Sequence, residues 1–171
     1  MKKVKLVLFQ LIAIFFLVNG IKKIYFAVYS DEMDCVLKFI KNTEVDCWDE
    51  TKSGRIMVFM NDIQLIPLYA FLAVVIIILI LNSVLKFSWK TTITVFILSF
   101  FLIWCIQSGF VNPVLNSLGR IFSDNLLYKY VIESLTYTVI GIVFLLLSIK
   151  TGKEDKEINQ GRNAKNLAEQ T

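Results

Sequence analysis

Long uncharged apolar runs separated by polar segments dominate the hydropathy pattern of this chain. A helix needs about 20 apolar residues to cross a hydrocarbon core of roughly 30 Å. Four segments meet or approach that length: residues 6–29, 63–85, 91–111 and 124–149. Backbone polar groups in lipid must be satisfied internally, and the runs do not alternate in polarity as barrel strands do. We therefore predict four transmembrane helices.

The first of these spans is the weakest. Only residues 6–21 are uncharged, which is about 24 Å of helix, so that Lys22 and Lys23 must reach outward to the interface. The N-terminal lysines and the apolar run behind them are also typical of a signal peptide, with a tolerable cleavage site at 18–20. The residues after that site stay apolar and aromatic, which favours a retained helix.

Charge in the connecting segments predicts the orientation. Lys and Arg are more than twice as dense in segments 1–5, 86–90 and 150–171 as in segments 22–62 and 108–129. Basic residues concentrate on the cytoplasmic side, so we predict that both termini are cytoplasmic. The predicted fold class is an all-α membrane protein, a four-helix transmembrane bundle with a small extracytoplasmic loop subdomain. Its amino-acid usage, rich in Lys, Ile and Asn, is compatible with an AT-rich bacterial genome. We therefore predict that the membrane is a bacterial inner membrane.

The predicted outer segment 30–62 is the largest polar region. It begins with an amphipathic stretch typical of a short helix, continues through turn-rich residues 42–54, and reaches residues 55–60, which suit a short strand or an early start of the second span. Residues 112–123 predict a helix lying at the outer interface. Residues 150–171 are polar and charged, as in a disordered tail.

Two cysteines lie in the outer segment, Cys35 and Cys47. An oxidising compartment favours a disulfide between them, which would pin the short helix to the segment that follows. A redox-active pair is disfavoured because the chain has no C-x-x-C motif and no histidine. Two free thiols are the remaining alternative.

The layout of four spans, cytoplasmic termini and a two-cysteine first outer segment resembles that of claudin-type proteins. The Gly-Leu-Trp signature that precedes the cysteines in that family is absent, and the loop tryptophan, Trp48, follows Cys47. The resemblance is one of layout, and the sequence assigns no family.

Glu133 is the one acid within the apolar run 130–149 of the fourth predicted span, and the apolar runs of the other spans contain none. An ionisable residue within a membrane marks a candidate functional site. It lies about one helical turn from Tyr130, near the outer interface, where Lys22 or Lys23 of the first span, or Lys129, could pair with it. The alternatives are a structural ion pair, a proton- or cation-handling site, and an interfacial acid.

Small and polar side chains within the spans predict where helices meet. Ser134, Thr138 and Gly141 form a stripe that allows another helix to approach closely, inside the chain or between subunits. Isolated polar residues such as Gln10 and Asn82 more often bond to a neighbouring helix than to a substrate.

Composition narrows the function further. The chain has 171 residues, 56% hydrophobic and 19% charged, with a net charge of +4 and no histidine. This composition excludes an ordinary soluble enzyme and a disordered protein, and the modest charge disfavours a nucleic-acid partner. Without histidine, a P-loop or a serine elbow, the sequence predicts no catalytic residue, no metal site and no cofactor.

These features predict a non-enzymatic membrane protein that acts on another membrane or extracytoplasmic protein, in an accessory, assembly or immunity-type role. An alternative is a subunit of an oligomeric transporter or channel. A weaker alternative is a membrane thiol-redox protein using Cys35 and Cys47.

Overall fold

The computed structural model describes residues 2–40, 50–107 and 124–168. This part of the chain is helical apart from short connections and contains no strand. Its helices are α1 (Lys2–Val28), α2 (Ser30–Ile40), α3 (Glu50–Val84), α4 (Trp89–Gln107) and α5 (Leu126–Ala168). The prediction of an all-helical chain is confirmed for these residues.

Three helices are long and apolar enough to cross a membrane, over Lys3–Val28, Leu65–Val84 and Leu126–Asp155. In α4 the apolar stretch is shorter, Trp89–Trp104. Residues 108–111, the end of the predicted third span, lie outside the described residues, as does the predicted interfacial helix 112–123.

The central helix is α1, which contacts each of the other four helices and has its most extensive contact with α5. Aromatic pairs mark the two ends of that contact. The ring centroids of Phe9 and Phe144 are 5.8 Å apart, and those of Phe26 and Tyr130 are 5.5 Å apart. Because the numbering rises along α1 as it falls along α5, the two helices are antiparallel.

Buried apolar side chains form two clusters at different levels of the bundle. The first cluster joins α1, α3 and α4 through Ile14, Val18, Ala70, Phe71, Val74, Val75, Ile78, Val95 and Ile103. The second, which we call the outer core, joins α1, α2, α3 and α5 through Phe26, Ala27, Cys35, Val36, Ile56, Phe59 and Tyr130. On α3 the outer core lies before Leu65, the first residue of its apolar span.

The start of α3 differs from the sequence prediction. We expected turns up to residue 54 and left 55–60 as a strand or an early helix, whereas the helix begins at Glu50. Ile56 and Phe59 stand three residues apart and are both buried in the outer core. This helical spacing lets one face of α3 bury its apolar residues, which explains why helix is favoured over strand.

The C-terminal segment also differs from expectation. We predicted a disordered tail from residue 150, whereas α5 continues to Ala168. Eleven of residues 150–168 are good helix formers (Lys, Arg, Glu, Gln, Ala or Leu), against three Asn and two Gly. Extending an existing helix avoids the cost of nucleating a new one, so that these residues can remain helical without a core of their own.

A C-terminal cap ends α3 and turns the chain into α4. The Phe87 N–H donates to the Asn82 carbonyl at 2.9 Å, and the Lys86 N–H donates to the Ser83 carbonyl at 3.0 Å. This is the Schellman pattern, in which the residue after the helix adopts a left-handed conformation. Lys86, with φ of 52°, occupies that position.

Candidate functional site

A buried ion pair connects α1 to α5. Lys23 Nζ lies 2.5 Å from Glu133 Oε2, and the two side chains are 4% and 1% exposed. Of the three lysines that the sequence offered to Glu133, the structure therefore brings Lys23 into direct contact. We call this contact the Lys23–Glu133 pair.

Three lysines lie near the single carboxylate of this pair, and each of them lies beside an aromatic ring. Lys23 Nζ lies 5.1 Å from the centroid of the Tyr130 ring, and Lys129 Nζ lies 5.4 Å from the same centroid. Lys22 Nζ lies 5.6 Å from the centroid of Phe26. Since the face of an aromatic ring is negative, these contacts stabilise cations that one carboxylate alone would not neutralise.

Tyr137 closes the site on the side of the bundle centre. It lies one turn beyond Glu133 on α5, it is 1% exposed, and its ring centroid is 5.9 Å from that of Phe16 on α1. Tyr130 and Tyr137 stand three residues before and four residues after Glu133, so all three lie on one face of α5. The burial of this face favours an interhelical contact over a solvent-lined path.

The small-residue stripe of α5 lies against α1. Ser134 Oγ donates a hydrogen bond to the Gly20 carbonyl at 3.0 Å. A Cβ atom added to Gly20 would lie 2.6 Å from Thr138 Oγ1, and one added to Gly141 would lie 2.7 Å from Leu17 Cγ. All three residues of the stripe thus contribute to the α1–α5 contact within one chain, where the absence of a larger side chain lets the backbones approach closely.

A second polar contact joins α1 to α3. Gln10 Nε2 donates to Asn82 Oδ1 at 2.6 Å, and Asn82 Nδ2 donates to Gln10 Oε1 at 3.1 Å. Both side chains are buried. The sequence predicted interhelical bonding for each residue but did not pair them. Their similar depths in antiparallel spans are the signal that could have done so.

The outer core also carries polar contacts. Arg55 Nε lies 2.8 Å from Glu32 Oε1, which ties the start of α3 to α2. The Arg55 guanidinium lies 5.9 Å from the centroid of the Tyr29 ring on the connection after α1. These contacts hold α2 against the neighbouring helices.

Cys35 is buried in the outer core, with 5% of its surface exposed. Cys47 lies outside the described residues, so that the disulfide between them stays a prediction. Burial of Cys35 among apolar side chains is unlike the accessible, electropositive surroundings of reactive thiols.

Within the described residues, no group of three or more Cys, Asp or Glu side chains is arranged to hold a metal ion. The chemistry available at the Lys23–Glu133 pair is that of a charge-assisted contact between helices. No protein-family model, curated protein or solved structure matches this chain.

Proposed function

We propose that this chain is a four-helix protein of the bacterial inner membrane, with both termini in the cytoplasm, that acts by binding another protein. In this proposal α4 is the additional membrane span beside the three longer ones, and the outer core forms a small extracytoplasmic subdomain. The role is non-enzymatic, of the accessory, assembly or immunity type. The chain is embedded in the lipid bilayer. Its partner is a membrane or extracytoplasmic protein.

An exposed apolar surface that begins at the outer membrane interface and extends beyond it carries this proposal. Met57 and Met60, which stand three residues apart on one face of α3 and which we call the methionine patch, are 71% and 50% exposed. Met57 precedes Leu65, where the apolar span begins, by about 12 Å along the helix axis. That distance exceeds the thickness of one interfacial layer, which is roughly 5–8 Å.

The composition of the methionine patch suits contact with a protein. Exposed methionines adapt their shape to a partner and are over-used at binding surfaces. An adjoining face of the same helical segment is anchored, because Ile56 and Phe59 are buried in the outer core. The patch is therefore presented on a supported helix.

The surroundings of Glu133 and the cysteine pattern weigh against the transport and thiol-redox alternatives. A transporter or channel subunit would need Glu133 to face water or a substrate, whereas its side chain is 1% exposed and contacts Lys23. A thiol-redox protein usually carries a C-x-x-C motif, which this sequence lacks. Both observations support a protein whose helices provide a scaffold.

Site-specific photocrosslinking in native membranes tests the proposal. A photoreactive residue is placed at Met57, at Met60, or at Tyr128, which is similarly exposed at the start of α5. We expect one protein adduct from the two methionine positions and none from Tyr128. The double substitution Met57→Glu and Met60→Glu should abolish co-purification of that protein, and Tyr128→Glu should preserve it.

Two results would contradict the proposal. One is equal crosslinking from all three positions, or adducts with lipid alone. The other is solute or ion uptake by proteoliposomes of the purified chain that Glu133→Gln abolishes, because that result would assign Glu133 to a transport path.

A further inference from the structure

A groove of about 470 Å³ runs between the beginnings of α1 and α4. Lys3 and Lys90 line it together with apolar side chains that include Leu8, Leu11 and Leu98. The volume lies within the range of roughly 300–1,000 Å³ that is usual for small-molecule sites. We call this feature the lysine groove.

The groove is polar at one end and apolar at the other. Lys3 and Lys90 lie in the first turns of α1 and α4, and Leu11 and Leu98 each lie about 12 Å further along their helices. Both lysines thus stand at one level and both leucines at another. The lysine groove is therefore amphipathic, with two cations at one end and apolar side chains at the other.

The depth of the lysines matches that of lipid headgroups. Trp89, next to Lys90, is 74% exposed at the same end of α4, and tryptophan favours the interface between headgroups and hydrocarbon. Both lysines are exposed, and neither forms an ion pair with another described residue. Their charges are therefore available to an anion at the membrane surface.

We propose that the lysine groove binds an anionic phospholipid of the cytoplasmic leaflet. The phosphate lies between the Lys3 and Lys90 ammonium groups, and the upper part of one acyl chain lies along Leu8, Leu11 and Leu98. A zwitterionic lipid offers the same alkyl contact without a net negative charge. Basic pockets between membrane helices on the cytoplasmic side are suited to anionic headgroups. This inference rests on the proposed membrane location and on the proposed cytoplasmic side of the termini, but not on the proposed partner.

Native mass spectrometry of the full chain, released from mixed micelles, provides the test. Phosphatidylglycerol is the probe, phosphatidylcholine is the zwitterionic control, and glycerol phosphate shows whether a free headgroup suffices. The variants are Lys3→Gln, Lys90→Gln and the double variant. Lys5→Gln is the matched control, because Lys5 is exposed near the same end of α1 but does not line the groove.

We expect preferential binding of phosphatidylglycerol to the unmodified chain and to Lys5→Gln. Each single groove variant should weaken that binding by about fivefold, and the double variant by about thirtyfold. Glycerol phosphate should not compete at equal concentration, because it lacks the alkyl contact.

Three results would overturn the inference. They are equal binding of the two lipids, a loss in Lys5→Gln as large as that in the groove variants, and full competition by glycerol phosphate. Specific capture of a protein segment that excludes lipid from the groove would overturn it as well.

Discussion

Replacing Glu133 by Gln removes the negative charge that faces Lys23 between α1 and α5. The two side chains are 4% and 1% exposed, with 2.5 Å between Lys23 Nζ and Glu133 Oε2. Removing one member of such a pair leaves the other charge in apolar surroundings, which typically costs about 3–5 kcal/mol. Both Lys23 and Lys129 are buried beside Tyr130. We therefore expect Glu133→Gln to lower the free energy of unfolding by about 4–5 kcal/mol.

Substituting the other member of the pair, Lys23, should lower the free energy of unfolding by less. In Lys23→Met, the carboxylate of Glu133 keeps a second cation nearby, because Lys129 lies one turn earlier on the same helix. We expect a loss of about 3 kcal/mol, near the lower end for a broken buried pair. The double variant Lys23→Met with Glu133→Gln, which completes the cycle with the two single variants, removes both charges and keeps similar volumes. Because Lys129 keeps its charge beside Tyr130 without a carboxylate, the double variant should still lose about 1–2 kcal/mol, well below the sum of the single losses.

The measurement is equilibrium unfolding of the four proteins by SDS titration in mixed micelles, followed by tryptophan fluorescence. Lys22→Met is the matched control, since Lys22 adjoins Lys23 but its described contact is with the Phe26 ring, so that its loss should be at most about 1 kcal/mol. A double variant that loses the sum of the single effects would refute the coupling. Unchanged stability in Glu133→Gln would refute the structural role of the pair.

Three further substitutions test other contacts by the same titration. Gly20→Val should cost about 2–3 kcal/mol, because its new Cβ would lie 2.6 Å from the nearest atom of α5. Gly54→Ala, which has nothing within 4 Å, should be neutral or stabilising by about 0.5–1 kcal/mol. Equal losses in the two variants would contradict the close approach of α1 and α5. Asn82→Leu should cost about 1–2 kcal/mol because it leaves the Gln10 amide unpaired, and adding Gln10→Leu should recover most of that loss; no recovery would show that the amides are not coupled. Lys86→Gly should stabilise the chain by about 1 kcal/mol because φ is 52° at this position. Lys86→Ala should not stabilise it. An equal change in the free energy of unfolding for both variants would show that the left-handed backbone carries no cost.

The sequence alone located three helices that are apolar enough to span a membrane and placed Glu133 within the last of them. Hydropathy over a window of about 20 residues reports the transfer of a helix from water to lipid, and that free energy depends little on which neighbours the helix later meets. The depth of Glu133 follows in the same way from its distance to the polar end of its own span. The sequence left residues 55–60 open between strand and early helix and wrongly predicted turns at 50–54, because Ile56 and Phe59 decide the conformation through contacts outside the segment.

The tertiary structure decided which side chains meet. Lys22, Lys23 and Lys129 were equivalent partners for Glu133 by depth, but helix rotation distinguishes them. Gly20, at the close approach to α5, lies on the same face of α1 as Lys23 because the two stand three residues apart. Adjacent residues on a helix point about 100° apart, so that Lys22 is turned away. Hydropathy sets depth, whereas rotation and pairing depend on how the helices fit together, which no single segment encodes.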